Sequence, residues 1–358
     1  MKKIGIVTLF GYNNYGNRLQ MYAVHKVYKR MGLDSEVIRY HKEIPKERFV
    51  IRLKILVISM LSLKSHLATS SLKKQRVSNF EKHAKTHYTE SESYVNPLAI
   101  GSDFHDNYSF FSVGSDQIWG EWNFDISDFI FLKFAPLEKR IAFSPSFGSS
   151  MIDEKYRKIF TDGLKGFHNL SVREATGAKI VKDFTDKEAT VLCDPTMCVS
   201  KTEWLSFSNI HKGKPTGKFI LTYFLGEKSQ KVLNIISQLS KEYEIVELNS
   251  LESPKLYAVT PSEWVDYINS ASLFLTDSFH GVVFSIIMQT PFAVYSRVGG
   301  ESMQTRITNI LEKFKMENRF EIATMDANLF HMDFSGAEEN INMEKSKVMA
   351  FLEKSLHL

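Results

Sequence analysis

Leu273–Ser285 reads LFLTDSFHGVVFS, and it restricts the fold more than any other stretch of the chain. Leu273–Thr276 is an apolar run of strand type, Asp277-Ser278 is a short polar break, and Gly281–Met288 is an apolar run of helix length. A strand that passes through a short polar loop straight into a helix is half of a βαβ unit. In open α/β sheets ligands bind outside the carboxyl ends of the strands. The free N–H groups at the start of the following helix favour anions there. His280 stands at that junction, and histidine is the side chain best suited to proton transfer near neutral pH. The same residues also fit a plainer reading, in which Asp277 or Ser278 caps a buried helix and His280 packs beside it.

The alternation that this stretch implies runs along the whole chain. Lys3–Phe10 predicts a first strand, Gly11–Asn17 a loop, and the four-residue spacing of Leu19, Ala23, Val27 and Met31 an amphipathic helix. Ser35–Tyr40, Phe110–Val113, Phe129–Phe134, Arg140–Phe143, Leu170–Val172 and Ala189–Leu192 follow as strands. Helices are expected within 45–88, at Asp153–Leu164, and after Glu174 to about Phe184. Asn209–Lys218, NIHKGKPTGK, has the composition of a linker. Beyond it the pattern restarts: strands at Phe219–Phe224, Glu244–Leu248, Leu273–Thr276 and Phe292–Tyr295, with helices at Gln230–Tyr243, Pro261–Ala271, His280–Met288 and Met303–Phe314. The expectation is an α/β chain of two Rossmann-like domains facing a cleft, residues 1–208 and 219–335. A final helix, Glu338–Leu356, packs back on the first domain in this reading.

Composition narrows the partners. A net charge of +4 in 358 residues, with scattered Lys and Arg, argues against nucleic acid. The two cysteines, Cys193 and Cys198, lack CxxC spacing and read as core residues of a reducing compartment. The N-terminal apolar run is broken too soon for a signal peptide and reads as a strand. Lys54–Leu63, KILVISMLSL, is short and flanked by Arg52 and Lys64, which fits a core or interfacial helix rather than an anchor. A cytoplasmic protein is expected. The basic segment Arg48–Arg76 reads either as a peripheral contact with the inner membrane face or as a solvated helical face.

Five clusters carry ligand chemistry. In Gly11–Asn17 the residues Asn14 and Gly16 sit in a tight strand–helix turn, where amides can meet hydroxyls; this is not a GxGxxG pattern. Ser115, Asp116 and Gln117 can bond sugar hydroxyls and Trp119 can stack on a sugar face, or Asp116 is a cap and Trp119 is core. Arg173 follows a strand and suits a carboxylate or phosphate, with Glu174 to orient it, or the two form a surface pair. Asp194-Pro195 reads as structural, because the residue before proline is held extended. Arg297, Gly299, Gly300 and Arg306 form either an anion-closing loop or a mobile one. No cluster has metal-ligand spacing, so no metal and no cofactor is expected.

In this order, Asn14-Tyr15-Gly16 with Leu19-Gln20, Gly114-Ser115-Asp116-Gln117 with Trp119, Phe147-Gly148, Ser171-Val172-Arg173-Glu174, Asp194-Pro195 and Phe279-His280-Gly281 resemble the polysaccharide pyruvyl transferase family. The resemblance runs from about residue 3 to about residue 320. It implies a fold like that of GT-B glycosyltransferases. It implies transfer of the enolpyruvyl group of phosphoenolpyruvate to two hydroxyls of a sugar, giving a pyruvate ketal and phosphate. The acceptor implied is a sugar of a surface polysaccharide or a lipid-linked oligosaccharide. The family's cleft arginine and histidine correspond to Arg173 and His280. Many members carry an arginine two residues before the histidine, where this chain has Ser278; Arg306 or Arg297 is then expected to supply that charge. Asp277, Ser278 and Gly281 complete the expected donor side, with His280 as general acid and Asp116 activating or orienting the acceptor. A nucleotide-sugar glycosyltransferase of the same shape and a non-catalytic sugar-binding protein are the competing expectations.

Overall fold

The computed structural model describes residues 3–41, 63–101, 103–297, 301–324 and 327–358. Strand β1 (Lys3–Val7) has Ile4, Ile6 and Val7 fully buried, as a strand covered on both faces requires. It pairs in parallel with β2 (Asp34–Val37) on one side and β3 (Phe110–Val113) on the other, and β3 pairs with β4 (Arg140–Ala142). The order is β2-β1-β3-β4. A bridge from Ala142 to Leu170 carries this sheet toward the parallel pair β5 (Ser171–Val172) and β6 (Thr190–Val191). The second sheet is β10-β9-β7-β8, built in parallel from β7 (Phe219–Tyr223), β8 (Glu244–Leu248), β9 (Leu273–Thr276) and β10 (Phe292–Val294).

Each sheet is fed through helices whose ends are set by local chemistry. In α1 (Tyr15–Arg30) the Asn14 side chain accepts from the Asn17 amide at 3.1 Å, and Gly32 at φ +73° takes the left-handed conformation that stops it. The other long helices are α2 (Leu63–His87), α3 (Arg157–Lys165), α4 (Ala175–Thr185), α5 (Lys201–Phe207), α6 (Gln230–Leu239), α7 (Pro261–Ser270), α8 (Phe279–Met288), α9 (Glu301–Phe314) and α10 (Ala337–Leu356). Helices α5 and α7 both begin with capping boxes, Ser200 with Glu203 and Thr260 with Glu263.

One expected strand is absent. Phe129–Phe134 forms a short helix and a turn, with Phe129, Ile130, Phe131 and Leu132 all fully buried. A short run buried on every side carries no period that separates strand from helix. Residues 54–62, most of the apolar stretch noted above, lie outside the described residues, as do Gly299 and Gly300. Among the described residues no helix is long and apolar enough to cross a membrane.

The two sheets meet through apolar and aromatic contacts. Tyr15 stacks on Trp264 at 5.4 Å, meets Tyr223 and Phe80 at 5.6 and 4.9 Å, and donates to the Val259 carbonyl at 2.9 Å. Each aromatic pair contributes about 0.5–1.5 kcal/mol beyond its buried area. Arg76, at the end of the basic segment, is buried in this junction. It stacks over Tyr15 and Tyr257 and donates to Asn249 Oδ1 at 2.8 Å, so it does not face a lipid surface. Phe351, Leu352 and Leu356 of α10 share a core with Met197, Cys198 and Val199.

Candidate active site

On the second sheet the residues after β9 sort themselves by their bonds. The Ser278 hydroxyl accepts from the Gly281 amide at 3.2 Å and caps α8, while Thr276 Oγ1 accepts from the Ser278 amide at 3.0 Å. Gly281 is a close approach: a Cβ there would meet Thr276 Oγ1 at 2.8 Å. Asp277 is satisfied locally. Its oxygens accept from the amides of Leu225 and Gly226 at 2.7 and 2.9 Å, and Arg297 Nε donates to it at 3.0 Å. The next residue with ring chemistry, His280, is carried on the first turn of α8 and is 7% exposed.

The imidazole of His280 crosses to the first sheet. Its Nε2 lies 3.4 Å from Asp194 Oδ2, an ion-pair distance rather than an aligned hydrogen bond. Its Nδ1 side packs on Gly16, where any side chain would overlap the ring. Gly16 is thus a glycine because the histidine occupies the space a Cβ would need.

The first sheet contributes a buried charge network. Arg173 Nη1 donates to Asp194 Oδ2 at 2.9 Å, Arg173 Nε donates to Glu174 Oε1 at 2.7 Å, and Asp116 Oδ1 lies 3.6 Å from Arg173. Asp116 sits at φ +69°, held by the Ser146 amide donating to its carbonyl at 2.8 Å, and Asn17 Nδ2 donates to its Oδ2. A left-handed non-glycine residue at the end of a strand is backbone strain of the kind concentrated at functional sites. Asp194 is tied from its other oxygen by the Thr196 amide and hydroxyl at 3.0 and 2.7 Å. Ser115 Oγ stands 3.5 Å behind Asp194 Oδ2.

From α9, Arg306 enters the same network, 3.9 Å from Asp116 Oδ1. With its amide turned as its neighbours require, Gln117 Oε1 accepts from Arg306 Nη2 and Nη1 at 2.7 and 3.0 Å. The guanidinium groups of Arg173 and Arg306 both lie over the Phe279 ring, at 4.3 and 5.7 Å from its centre. Burial and the neighbouring Arg173 charge push Arg306 down to about 10, so it stays charged at neutral pH. Burial works against the charge on Arg173, but Glu174, Asp194 and Asp116 outweigh it and hold the guanidinium firmly protonated. Burial alone would raise the Asp194 carboxyl; His280, Arg173 and the Thr196 amide outweigh it and keep it well below the usual carboxylate range.

A cleft of about 690 Å³ opens on this network, lined by Arg173, Glu174, Asp194, Phe279, Arg306 and Ile310 among others. Its walls are partly apolar and its floor carries the charges. Among the described residues no three His, Cys, Asp or Glu side chains are grouped to hold a metal ion.

Of the residues singled out from the sequence, Asp116, Arg173, Glu174, His280, Gly16, Gln117, Ser115 and Arg306 converge here. Asn14 is a helix cap, and Ser278 and Asp277 are engaged by backbone amides beside the site. Arg297 is tied to Asp277 rather than to the Arg173 network, so of the two candidate replacements for the missing arginine only Arg306 reaches it. Trp119 is a correction. It does not offer a face to a sugar: it is fully buried against Phe131, Phe147 and Phe167, with its indole donating to the Ile130 carbonyl at 3.1 Å. Asp194 caps its turn through Thr196, as the structural reading has it, and its second oxygen also joins the arginine to the histidine, which no local signal shows.

Two facing parallel sheets, each covered by helices and closing a cleft at their carboxyl ends, define a GT-B-like α/β protein. Solved structures agree on that fold. A Listeria monocytogenes protein described as a putative UDP-N-acetylglucosamine 2-epimerase aligns at 10% identity and TM-score 0.51, over 99% of this chain and 96% of its own. MnaA of S. aureus, solved with UDP, aligns at 10% identity and TM-score 0.52, over 100% and 98%. No curated protein matches the chain significantly. Residues 14–297 match the polysaccharide pyruvyl transferase family, and the chain belongs to that family.

Proposed function

We propose that the protein transfers the enolpyruvyl group of phosphoenolpyruvate onto two hydroxyls of a polysaccharide sugar, forming a pyruvate ketal. One observation carries this reading. Two buried arginines flank one aromatic ring in a cleft, and a histidine from the opposite sheet reaches the same carboxylate as one of them. Phosphoenolpyruvate bears a phosphate and a carboxylate, the groups that guanidinium forks bind best. Arg173 keeps one buried nitrogen, Nη2, with no acceptor among the described residues. Arg173 and Arg306 also repel each other, and an anion placed between them relieves that repulsion.

The proton balance closes on one side chain. The His280 imidazolium gives a proton to the methylene carbon of the donor, which becomes the methyl group of the ketal. As the first sugar hydroxyl bonds to the adjacent carbon, its proton passes to the neutral imidazole. The second hydroxyl then displaces phosphate, which leaves with the second proton. Asp116 has both oxygens engaged, by Asn17 on one side and near Arg173 and Arg306 on the other, so its part is to orient the acceptor. A sugar, free or carried on a lipid-linked oligosaccharide, is the acceptor in this proposal.

The test is phosphate release from phosphoenolpyruvate in the presence of bacterial polysaccharide acceptors. Arg173→Lys keeps the charge facing Asp194 but loses the fork, and it should raise KM for phosphoenolpyruvate before KM for acceptor. A purely acceptor-side defect would contradict the assignment.

A further inference from the structure

We propose that Asp194 is the positioning residue of His280: its carboxylate holds the proton of the neutral imidazole on Nε2, leaving Nδ1, beside Gly16, as the nitrogen that meets substrate. The inference rests on the reading that His280 exchanges protons with substrate, and it adds which nitrogen does so and why.

The geometry sets the assignment. The side chain of Asp194 is fully buried, out of reach of bulk solvent. Its Oδ1 is occupied by the Thr196 amide and hydroxyl, and its Oδ2 receives Arg173 Nη1 and faces His280 Nε2. An ionised carboxylate only accepts hydrogen bonds, so a nitrogen turned toward it carries the hydrogen. Nε2 is itself buried and has no other acceptor among the described residues. Asp194 faces the ring and is joined through Arg173 to Glu174 and Asp116, with Arg306 of α9 beyond at Asp116; α1 places Gly16 against the ring. Asp194 is the carboxylate turned directly to the ring, and it also comes from the other sheet. The same oxygen thus anchors the arginine assigned to the donor and aligns the imidazole assigned to the proton.

A purely structural Asp194 would give a different result in two measurements on the full chain. The first is nitrogen NMR of ¹⁵N-histidine-labelled protein without donor, with the His280 signals assigned by their loss in His280→Gln. Neutral His280 should be the Nε2–H tautomer in the wild type. In Asp194→Asn the carboxylate that accepts this proton is gone, and the preference for the Nε2–H tautomer should be lost. The second is the pH profile of turnover. Its shape should change in Asp194→Asn, with kcat falling ~100-fold while KM for phosphoenolpyruvate, which depends on Arg173 anchored to the same carboxylate, rises less. An Nδ1–H tautomer in the wild type overturns the proposal even if Asp194→Asn does not fold. An unchanged tautomer in folded Asp194→Asn overturns it as well. The NMR arm contains no donor, so a wrong donor would show as absent phosphate release with the tautomer intact.

Discussion

The two halves of the site handle buried charge in opposite ways. Behind β9, Asp277 is an acid satisfied at home: two backbone amides and Arg297 use its oxygens, and Ser278 caps the helix. That half is scaffolding from which one reactive ring, His280, and one guanidinium, Arg306 of α9, project. Across the cleft, Asp116, Glu174 and Asp194 surround Arg173, Arg306 reaches in from α9, and of these acids only Asp194 caps a turn with its side chain. There the charges balance each other across strands distant in sequence. The contrast teaches that one half fixes an orientation and the other holds an electrostatic environment, and that neither is complete alone.

The largest effect should come from the projecting ring. His280→Ala is expected to lower kcat about 10²–10⁴-fold, the usual contribution of a positioned acid or base, with the fold intact. Near-normal turnover would reduce the second half to scaffold throughout. The next contrast is in stability. Arg173→Ala strips buried carboxylates of their partner and should cost about 3–5 kcal/mol in denaturant unfolding, whereas Arg297→Ala, which leaves the buried Asp277 its two amide donors, should cost less, about 1–2 kcal/mol. Equal losses would erase the distinction between the halves. Gly16→Ala drives a methyl into the His280 ring and should cost about 1–3 kcal/mol, with activity falling further than that strain alone explains.

A smaller effect is pH-dependent. The folded Asp194 carboxyl is held below its unfolded value, so its stabilising contribution is complete above about pH 4 and is lost as pH falls through the folded value. Acid unfolding of Asp194→Asn should therefore lack part of the wild-type dependence below pH about 4. A parallel pair of curves would mean that Asp194 is not held ionised by this network.

Much of this arrangement is legible in the letters of the chain. The strands at Phe110–Val113 and Leu273–Thr276 match the expected runs residue for residue, because a strand buried on both faces is written as a near-continuous apolar run; Glu244–Leu248 matches in its bounds as a half-buried edge strand. Arg173, Asp116 and His280 are visible because each follows such a run, where the carboxyl ends of strands converge. What is not visible is pairing across the cleft. Asp194 sits before a proline and does cap a turn through Thr196, so its local signal is structural and complete. Its second oxygen, which meets Arg173 and His280, has no signature in nearby residues. Trp119 fails for the converse reason: an aromatic beside polar residues reads the same whether it faces a ligand or the core, and only the packing of Phe131, Phe147 and Phe167 decides.

The central claim is that Arg173 from the first sheet's side and Arg306 with His280 from the second hold phosphoenolpyruvate between them. Thermal unfolding with increasing phosphoenolpyruvate, with UDP and GDP in parallel, tests it most directly, since a ligand of the native state at 100 times its Kd stabilises by about 2.7 kcal/mol. The account predicts a rise in Tm with phosphoenolpyruvate that is lost in Arg173→Lys, and none with either nucleotide. A rise with UDP or GDP alone would contradict it and move the protein to nucleotide-sugar chemistry.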